Sequence, residues 1–303
     1  EEQKDYLQEQ GWHSIMVGEE MLSDPQAWKT TGKKWQDVRT AINKAKREGI
    51  VDVMTTFDEA PADVQSQIEG ISEQWSQGKA LPEMKFTLGG VEELKDPRVK
   101  ILYAIDGDGV VQAVTSWLPT WRGGHVIGWT LDFMRYNHGS YNGIMEFLIA
   151  RMAQRMHDWG ETHPDEQVQF VSLSAAPLSG LQHSSDATSD DTSNIDGTTV
   201  LQHSLALVAD LLEPAYGFKS LYRFKLKFQP IQRPVYICYR DSALLPNLAI
   251  AIIRAYLPSL TFREALGMLS SFKPKDDAPA SADSPSSAPA ASSAPSPASA
   301  PSD

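Results

Sequence analysis

The chain has 303 residues, with 27 Lys+Arg against 39 Asp+Glu, a net charge of -12 and one cysteine, Cys238. At about 150 residues per domain this length allows two domains or one large one, and a hydrophobic content of 41% supplies a sizeable core. A single cysteine excludes an internal disulfide framework and a Cys-rich zinc site, no run reaches the roughly 18 apolar residues of a bilayer-spanning helix, and residues 1–5 lack the basic and apolar regions of a secretory signal.

In chain order, Trp35, Val38, Ile42 and Ala45 recur at helical spacing, so 33–48 reads as an amphipathic helix ended by Gly49. A strand over 50–56 follows. A helix over 60–75 carries Val64, Ile68, Ile71 and Trp75 on one face. Strands over 99–105 and 110–117 flank Asp106-Gly107-Asp108-Gly109, a strong hairpin signal. A strand over 125–134, a long helix over 142–159 and a strand over 168–173 come next. A helix over 201–212 and strands over 222–228 and 234–239 follow, then an apolar helix over 244–257. This order predicts a mixed α+β fold around a central sheet. No period of roughly 20–50 residues repeats, so a solenoid is excluded.

Charge is unevenly spread. The Ala/Ser/Pro-rich end of the chain holds Asp276, Asp277, Asp283 and Asp303 and no base after Lys275, a composition that predicts disorder. The stretch 184–199 holds Asp186, Asp190, Asp191 and Asp196 and no base, and reads as an acidic surface loop. Two segments run the other way. Lys29, Lys33, Lys34, Arg39, Lys44, Lys46 and Arg47 are opposed only by Asp37, and Lys219, Arg223, Lys225, Lys227, Arg233 and Arg240 form a second segment with no acid among them. Such clusters meet phosphates or form solvated faces, and charge alone leaves both readings open.

The stretch most informative about chemistry runs from Leu131 to Gly143. A strand enters a Gly-containing loop, and the loop enters a helix N-terminus, an arrangement suited to an anion. Its Arg-x3-Gly-x3-Gly spacing echoes the pyrophosphate loop of GNAT acetyltransferases, while turn and packing roles for Gly139 and Gly143 are the simpler alternative. Asp132 and Arg135 end the strand, on opposite faces if it stays straight. In 222–228, alternation places Arg223, Lys225 and Lys227 on one face of the predicted strand. The seven histidines show no H-E-x-x-H spacing, and no G-x-S-x-G elbow marks a serine nucleophile.

Several ordered stretches resemble one family. They are Gly32-Lys33-Lys34-Trp35-Gln36-Asp37-Val38-Arg39, the run from Leu81 to Gly90, Leu131-Asp132-Phe133-Met134-Arg135-Tyr136 and Ala176-Pro177-Leu178-Ser179-Gly180. Tyr216-Gly217-Phe218, Phe224-Lys225-Leu226-Lys227-Phe228 and Arg233-Pro234-Val235-Tyr236 complete the set. Together they resemble the C-terminal cytosolic domain of the multiple peptide resistance factor family, the lysyl- or alanyl-phosphatidylglycerol synthases, over about Gly11 to Tyr239. The resemblance implies tandem GNAT-like lobes: a partial first lobe over 1–98 whose opening strands are missing, and a second, motif-bearing lobe over 99–241. A C-terminal apolar segment over 242–272 and the disordered tail over 273–303 would follow.

The same resemblance implies transfer of lysine or alanine from aminoacyl-tRNA to phosphatidylglycerol at the cytoplasmic face of a bacterial membrane. The product lowers membrane negative charge and raises resistance to cationic antimicrobial peptides. Asp132, Arg135 and Glu213 fall on catalytic positions, and Lys225 and Lys227 on substrate-binding positions. No metal or cofactor is implied, because aminoacyl-tRNA is a co-substrate. The partners are aminoacyl-tRNA, phosphatidylglycerol and the membrane surface, with a transmembrane region N-terminal to this segment. The alternatives are a CoA-dependent GNAT acyltransferase, a Fem-like peptidoglycan aminoacyl-transferase and a non-catalytic lipid-binding module.

Overall fold

The computed structural model describes residues 2–77, 89–177, 218–245, 247, 248 and 251. Its strands are β1 (His13–Ser23), β2 (Val51–Thr55), β3 (Lys100–Ile105), β4 (Val111–Arg122), β5 (His125–Tyr136), β6 (Phe170–Pro177) and β7 (Ile231–Tyr239). Its helices are α1 (Glu2–Glu9), α2 (Gln36–Arg47), α3 (Ala62–Gln77), α4 (Val91–Leu94), α5 (Ile144–Thr162) and α6 (Phe218–Leu226). The strands form one sheet in the order β2-β3-β4-β5-β6-β1-β7. Among the described strands only β5 and β6 pair in parallel, joined through α5; the other neighbours are antiparallel. The expected α+β class holds. The boundary expected near residue 98 falls between β2 and β3, which are hydrogen-bonded neighbours.

Each face of the sheet buries a helical layer. On one, α2 presents Val38, Ala41 and Ala45 and α5 presents Ile144, Leu148 and Met152 to Trp117, Leu131 and Val171. On the other, α3 presents Val64, Ile68 and Ile71 to Ile101, Tyr103, Val114 and Phe133. Each fully buried side chain of this size contributes about 1.5–3 kcal/mol. Asp106 closes the β3–β4 turn by accepting from the amides of Asp108 and Val110 at 3.0 and 2.9 Å. The β4–β5 hairpin turns on Gly123 and Gly124, both at positive φ as a two-residue primed turn requires.

Two assignments differ from the expected ones. The segment 222–228 is not a strand: α6 covers Phe218–Leu226. Phe224 and Phe228, four residues apart, meet edge to face at 5.7 Å, and the stem of buried Lys225 fills the same face. The alternation of Phe224, Leu226 and Phe228 fits a strand over three positions only. The second difference is β1, which inserts between β6 and β7. Its apolar positions are interrupted by Gly18, Glu19 and Glu20, so no periodic signal announces it. The expected helix over 201–212, the acidic stretch 184–199, Glu213, the tail 273–303 and most of 244–257 lie outside the described residues. No helix among the described residues is long and apolar enough to cross a membrane.

Gly128 shows how tightly the parallel pair packs. It stands opposite Phe170 in the register, and a Cβ there would run into the Phe170 ring. Gly128→Ala is therefore expected to lower the unfolding free energy by about 1–3 kcal/mol in urea titration. Gly107→Ala, where nothing lies within 4 Å, is expected to stay within about 0.5 kcal/mol.

Candidate functional site: the parting of the parallel strands

Strands β5 and β6 pair only from Gly128↔Phe170 to Thr130↔Ser172. Beyond that point each carries an irregularity. On β4, Thr115 to Trp117 is two steps, while their partners Met134 and Leu131 are three apart, so β5 holds one extra residue at 132–133. On β6, Ala175 and Ser172 are three apart while Glu20 and Leu22 on β1 are two apart, so β6 holds one extra residue at 173–174. Bulges bend strands and re-aim side chains. Their backbone groups find partners in buried hydroxyls: the Phe133 amide donates to Ser116 Oγ at 3.0 Å, and the Ser174 amide donates to Ser172 Oγ at 3.0 Å. Ser174, at φ 64, donates its own hydroxyl to the Leu131 carbonyl across the parting.

The β5 bulge decides where the acid and base at the strand end point. A straight strand sends Asp132 and Arg135 to opposite faces; the extra residue places both on the α3 face. Arg135 is 3% exposed. Its guanidinium lies 3.4 Å from the centre of the Trp75 ring on α3 and 4.6 Å from that of Phe133, a stacking geometry suited to a planar cation. Its Nη1 also donates to the Met134 carbonyl at 2.9 Å. Asp132 is half-buried and accepts from the Gly89 amide at 3.3 Å, just before α4. Burial raises the Asp132 carboxyl above its ordinary range and Glu93 adds to this; the Gly89 amide and Arg135 oppose it. A carboxylate of raised basicity beside a fixed guanidinium can take a proton while the cation faces a developing negative charge.

Lys225 and Lys227 do not join this pair. Lys225, 4% exposed, donates to the carbonyls of Ser174 and Ala175 on β6 at 3.3 and 2.9 Å. Burial lowers its pKa to about 8, with Glu20 pulling the other way, and Glu20 in turn accepts from Ser172 Oγ at 2.8 Å. Lys227 ion-pairs with Glu146 at 2.7 Å on the opposite, α5, face of the sheet. The first turn of α5 thus already carries a carboxylate of the chain itself. Its entry is packed against α2: a Cβ on Gly143 would lie 3.2 Å from Ala41 Cβ, and Tyr141 donates to the Ala41 carbonyl at 3.1 Å. Gly143 is a packing glycine, and Gly139 and Ser140 close a turn on Asn137.

The basic stretch flanking this end of the fold is open to an anion. Lys29, Lys33, Lys34, Lys46 and Arg47 are exposed, and among the described residues none is in an ion pair. Arg39 instead donates to the carbonyls of Thr30 and Gly32, each at 2.5 Å, and Lys44 pairs with Glu48 at 3.7 Å. Sequence reasoning did not single out Trp75, Gly89, Ser116, Ser174, Glu20 or Glu146 for the site. Trp75 read as an ordinary inward residue of its helix, and Gly89 was visible only as part of a longer run.

Fold and site together define an α+β domain with a carboxylate–guanidinium pair at the carboxyl ends of its parallel strands. Residues 1–239 match the family described as phosphatidylglycerol lysyltransferase, C-terminal, and the chain belongs to that family. An uncharacterized protein of Corynebacterium glutamicum is 39% identical over 249 residues, covering 82% of this chain and 29% of that protein. The lysylphosphatidylglycerol biosynthesis bifunctional protein LysX of Mycolicibacterium vanbaalenii is 25% identical over 249 residues, covering 82% of this chain and 21% of its own length. L-PGS from Bacillus licheniformis shares the fold at a TM-score of 0.63 and 23% identity, covering 85% of this chain and 71% of that one. The chain therefore spans under a third of the curated relatives it matches.

The buried Lys225 ammonium gives a pH signature. In the folded chain it loses its proton near pH 8, against 10.5 for the ordinary side chain. Between these values the unfolded chain binds more protons, so stability gains with rising pH; below about 8 the burial cost is fully present. Relative to Lys225→Met, wild type is expected to gain about 2 kcal/mol in urea unfolding between about pH 7.5 and 9.5. A constant difference across that range would remove the lysine from this role.

Proposed function

We propose that this chain performs the acyl step of aminoacyl-phosphatidylglycerol synthesis, moving lysine or alanine from aminoacyl-tRNA to the glycerol headgroup of phosphatidylglycerol. The observation that carries the reading is the Asp132–Arg135 pair, brought to one face by the β5 bulge inside a domain of the phosphatidylglycerol lysyltransferase family. The lipid hydroxyl attacks the aminoacyl ester carbonyl. Its oxygen bonds to that carbon, its proton passes to the Asp132 carboxylate, and the Arg135 guanidinium faces the oxyanion. Collapse breaks the bond to the terminal ribose oxygen, which leaves with the proton from Asp132. The ester is already activated, so the step needs neither a protein nucleophile nor a cofactor; positioning and charge complementarity suffice.

In this reading Lys225 and Lys227 hold the framework around β6 and α5, and Glu213 remains an assignment by resemblance. The exposed bases around α2 meet donor phosphates. The reaction belongs at the cytoplasmic face of the membrane, where charged tRNA and the lipid meet. Adding a cationic aminoacyl group lowers surface negative charge, which weakens attraction of cationic peptides.

The test is incubation with charged tRNAs and phosphatidylglycerol vesicles, followed by chromatography of the extracted lipids. Lysyl- or alanyl-phosphatidylglycerol is the expected product; no aminoacyl lipid from any charged tRNA would overturn the reading. Asp132→Ala and Arg135→Ala are each expected to cut turnover by about 100-fold or more with the fold intact by circular dichroism. Because the raised Asp132 carboxyl must be ionised to accept a proton, kcat falls as pH drops through its pKa, and Asp132→Asn removes that limb. Full activity in both alanine variants would discard the pair.

Donor binding gives a separate check. Reversing Lys33, Lys34, Lys46 and Arg47 to Glu should weaken tRNA binding. It should also flatten the plot of log affinity against log salt by about 0.9 for each duplex phosphate that is no longer neutralised. An unchanged slope would place the phosphate-binding bases elsewhere.

A further inference from the structure

Asp132 packs closely against a glycine. A Cβ on Gly89 would overlap the Asp132 carboxylate, and both carboxylate oxygens and Cγ lie within 3.5 Å of that point. The Gly89 amide donates to Asp132 Oδ1 at 3.3 Å. The close approach of the carboxylate favours glycine here. The next residue tightens the same corner: the Gly90 amide donates to Glu93 Oε2 at 2.7 Å, capping α4, whose Leu94 is buried in the α3-side core. Gly89 is therefore fixed from both sides, by a capped helix and by the carboxylate it touches.

Arg135 is fenced in a comparable way. Its guanidinium stacks on Trp75 at 3.4 Å and lies above Phe133. Trp75 is near the end of α3, whose Ile68 and Ile71 anchor in the same core as Leu94 and Phe133. One apolar layer therefore seats both clamps.

We propose that Gly89 and Trp75 are positioning residues for the transfer: Gly89 aims the Asp132 carboxylate and Trp75 fixes the plane of Arg135, so that the two charged groups act as one unit. The assignment rests on the function proposed above, because it acts through Asp132 and Arg135. It extends that reading to two residues that carry no charge and take no part in bond making. Each acts on orientation, so each governs turnover rather than substrate affinity.

The experiment uses the whole protein, charged tRNA and phosphatidylglycerol vesicles. Gly89→Ala is expected to lower kcat by about 100-fold, the cost of a displacement of about 1 Å at a reacting group, with KM for tRNA and lipid within about twofold of wild type. Trp75→Leu is expected to lower kcat at similarly unchanged KM, and Trp75→Phe, which keeps an aromatic face, to restore most of it. A thermal cycle runs alongside and needs no turnover. Gly89→Ala should lower the unfolding midpoint by about 3 °C or more in wild type. In an Asp132→Ala background, where the obstructing carboxylate is gone, it should cost about 1 °C or less. Full kcat in Gly89→Ala, or equal thermal costs in both backgrounds, overturns the assignment for Gly89; a Trp75→Phe variant no better than Trp75→Leu overturns it for Trp75. If wild type forms no aminoacyl lipid, the proposed function falls. The thermal cycle then decides for Gly89, and the same cycle of Trp75→Leu with Arg135→Ala decides for Trp75.

Discussion

Two neighbouring strands that begin as a hydrogen-bonded pair and then separate must do something with the backbone groups they stop sharing. In this protein β5 and β6 share their ladder only over three residue pairs, 128–130 against 170–172. An unpaired buried amide or carbonyl costs about 1–3 kcal/mol, so the separation persists only where substitutes exist. Ser116, Ser172 and Ser174 supply hydroxyls, and Lys225 supplies an ammonium to two carbonyls of β6. The two bulges and these side chains form one device. The bulge on β5 turns Asp132 and Arg135 to a common face, and the bulge on β6 turns carbonyls toward the lysine. Ser174, in the left-handed region, joins the strands through its hydroxyl.

The same device sorts the charges. A chain of net charge -12 buries Lys225 and Glu146 and half-buries Lys227 near the parting of its strands, which is costly unless each is answered. Lys225 is answered by carbonyls and Glu20, and Lys227 by Glu146. Arg135 stacks on the rings of Trp75 and Phe133, aromatic faces that orient a planar guanidinium. That distinction separates the cations that hold the fold from the cation assigned to chemistry in the proposed function. The exposed positive charge of α2 and the turn before it lies outside, where contact with a polyanion costs little desolvation.

Much of this was legible in the amino-acid sequence. The helices around Val38, Ile68 and Leu148 declared themselves by spacing, as did the hairpin at Asp106-Gly107. Asp132 and Arg135 stood out at a strand end before a loop. Three things were not legible. The bulge that unites Asp132 with Arg135 leaves no periodic mark, because one inserted residue in a strand looks like a change of face. The helix α6 read as a strand because Phe224, Leu226 and Phe228 alternate, while the decisive fact, that the aliphatic stem of Lys225 packs inward, belongs to the tertiary structure. Strand β1 was hidden by two adjacent glutamates, one of which serves the buried network around Lys225. Local signals fail where a polar residue is buried for the sake of a partner distant in sequence.

The satisfied backbone at the parting also bears on what kind of ligand the site takes. To lie in the gap between the strands, a long amide-bearing arm such as that of coenzyme A would need main-chain donors and acceptors left open for it. Here the Ser174 amide, the Ser174 and Ala175 carbonyls and the Leu131 carbonyl are all engaged within the chain. The amide end of α5, the other natural seat for a pyrophosphate, carries Glu146 and is packed against α2. A CoA-type donor would have to break these contacts before making its own. A donor recognised by side chains at the strand ends and by its phosphates on an outer basic face breaks none of them. The internal bonding of the parting therefore leaves little open main chain for a CoA-type arm in this gap.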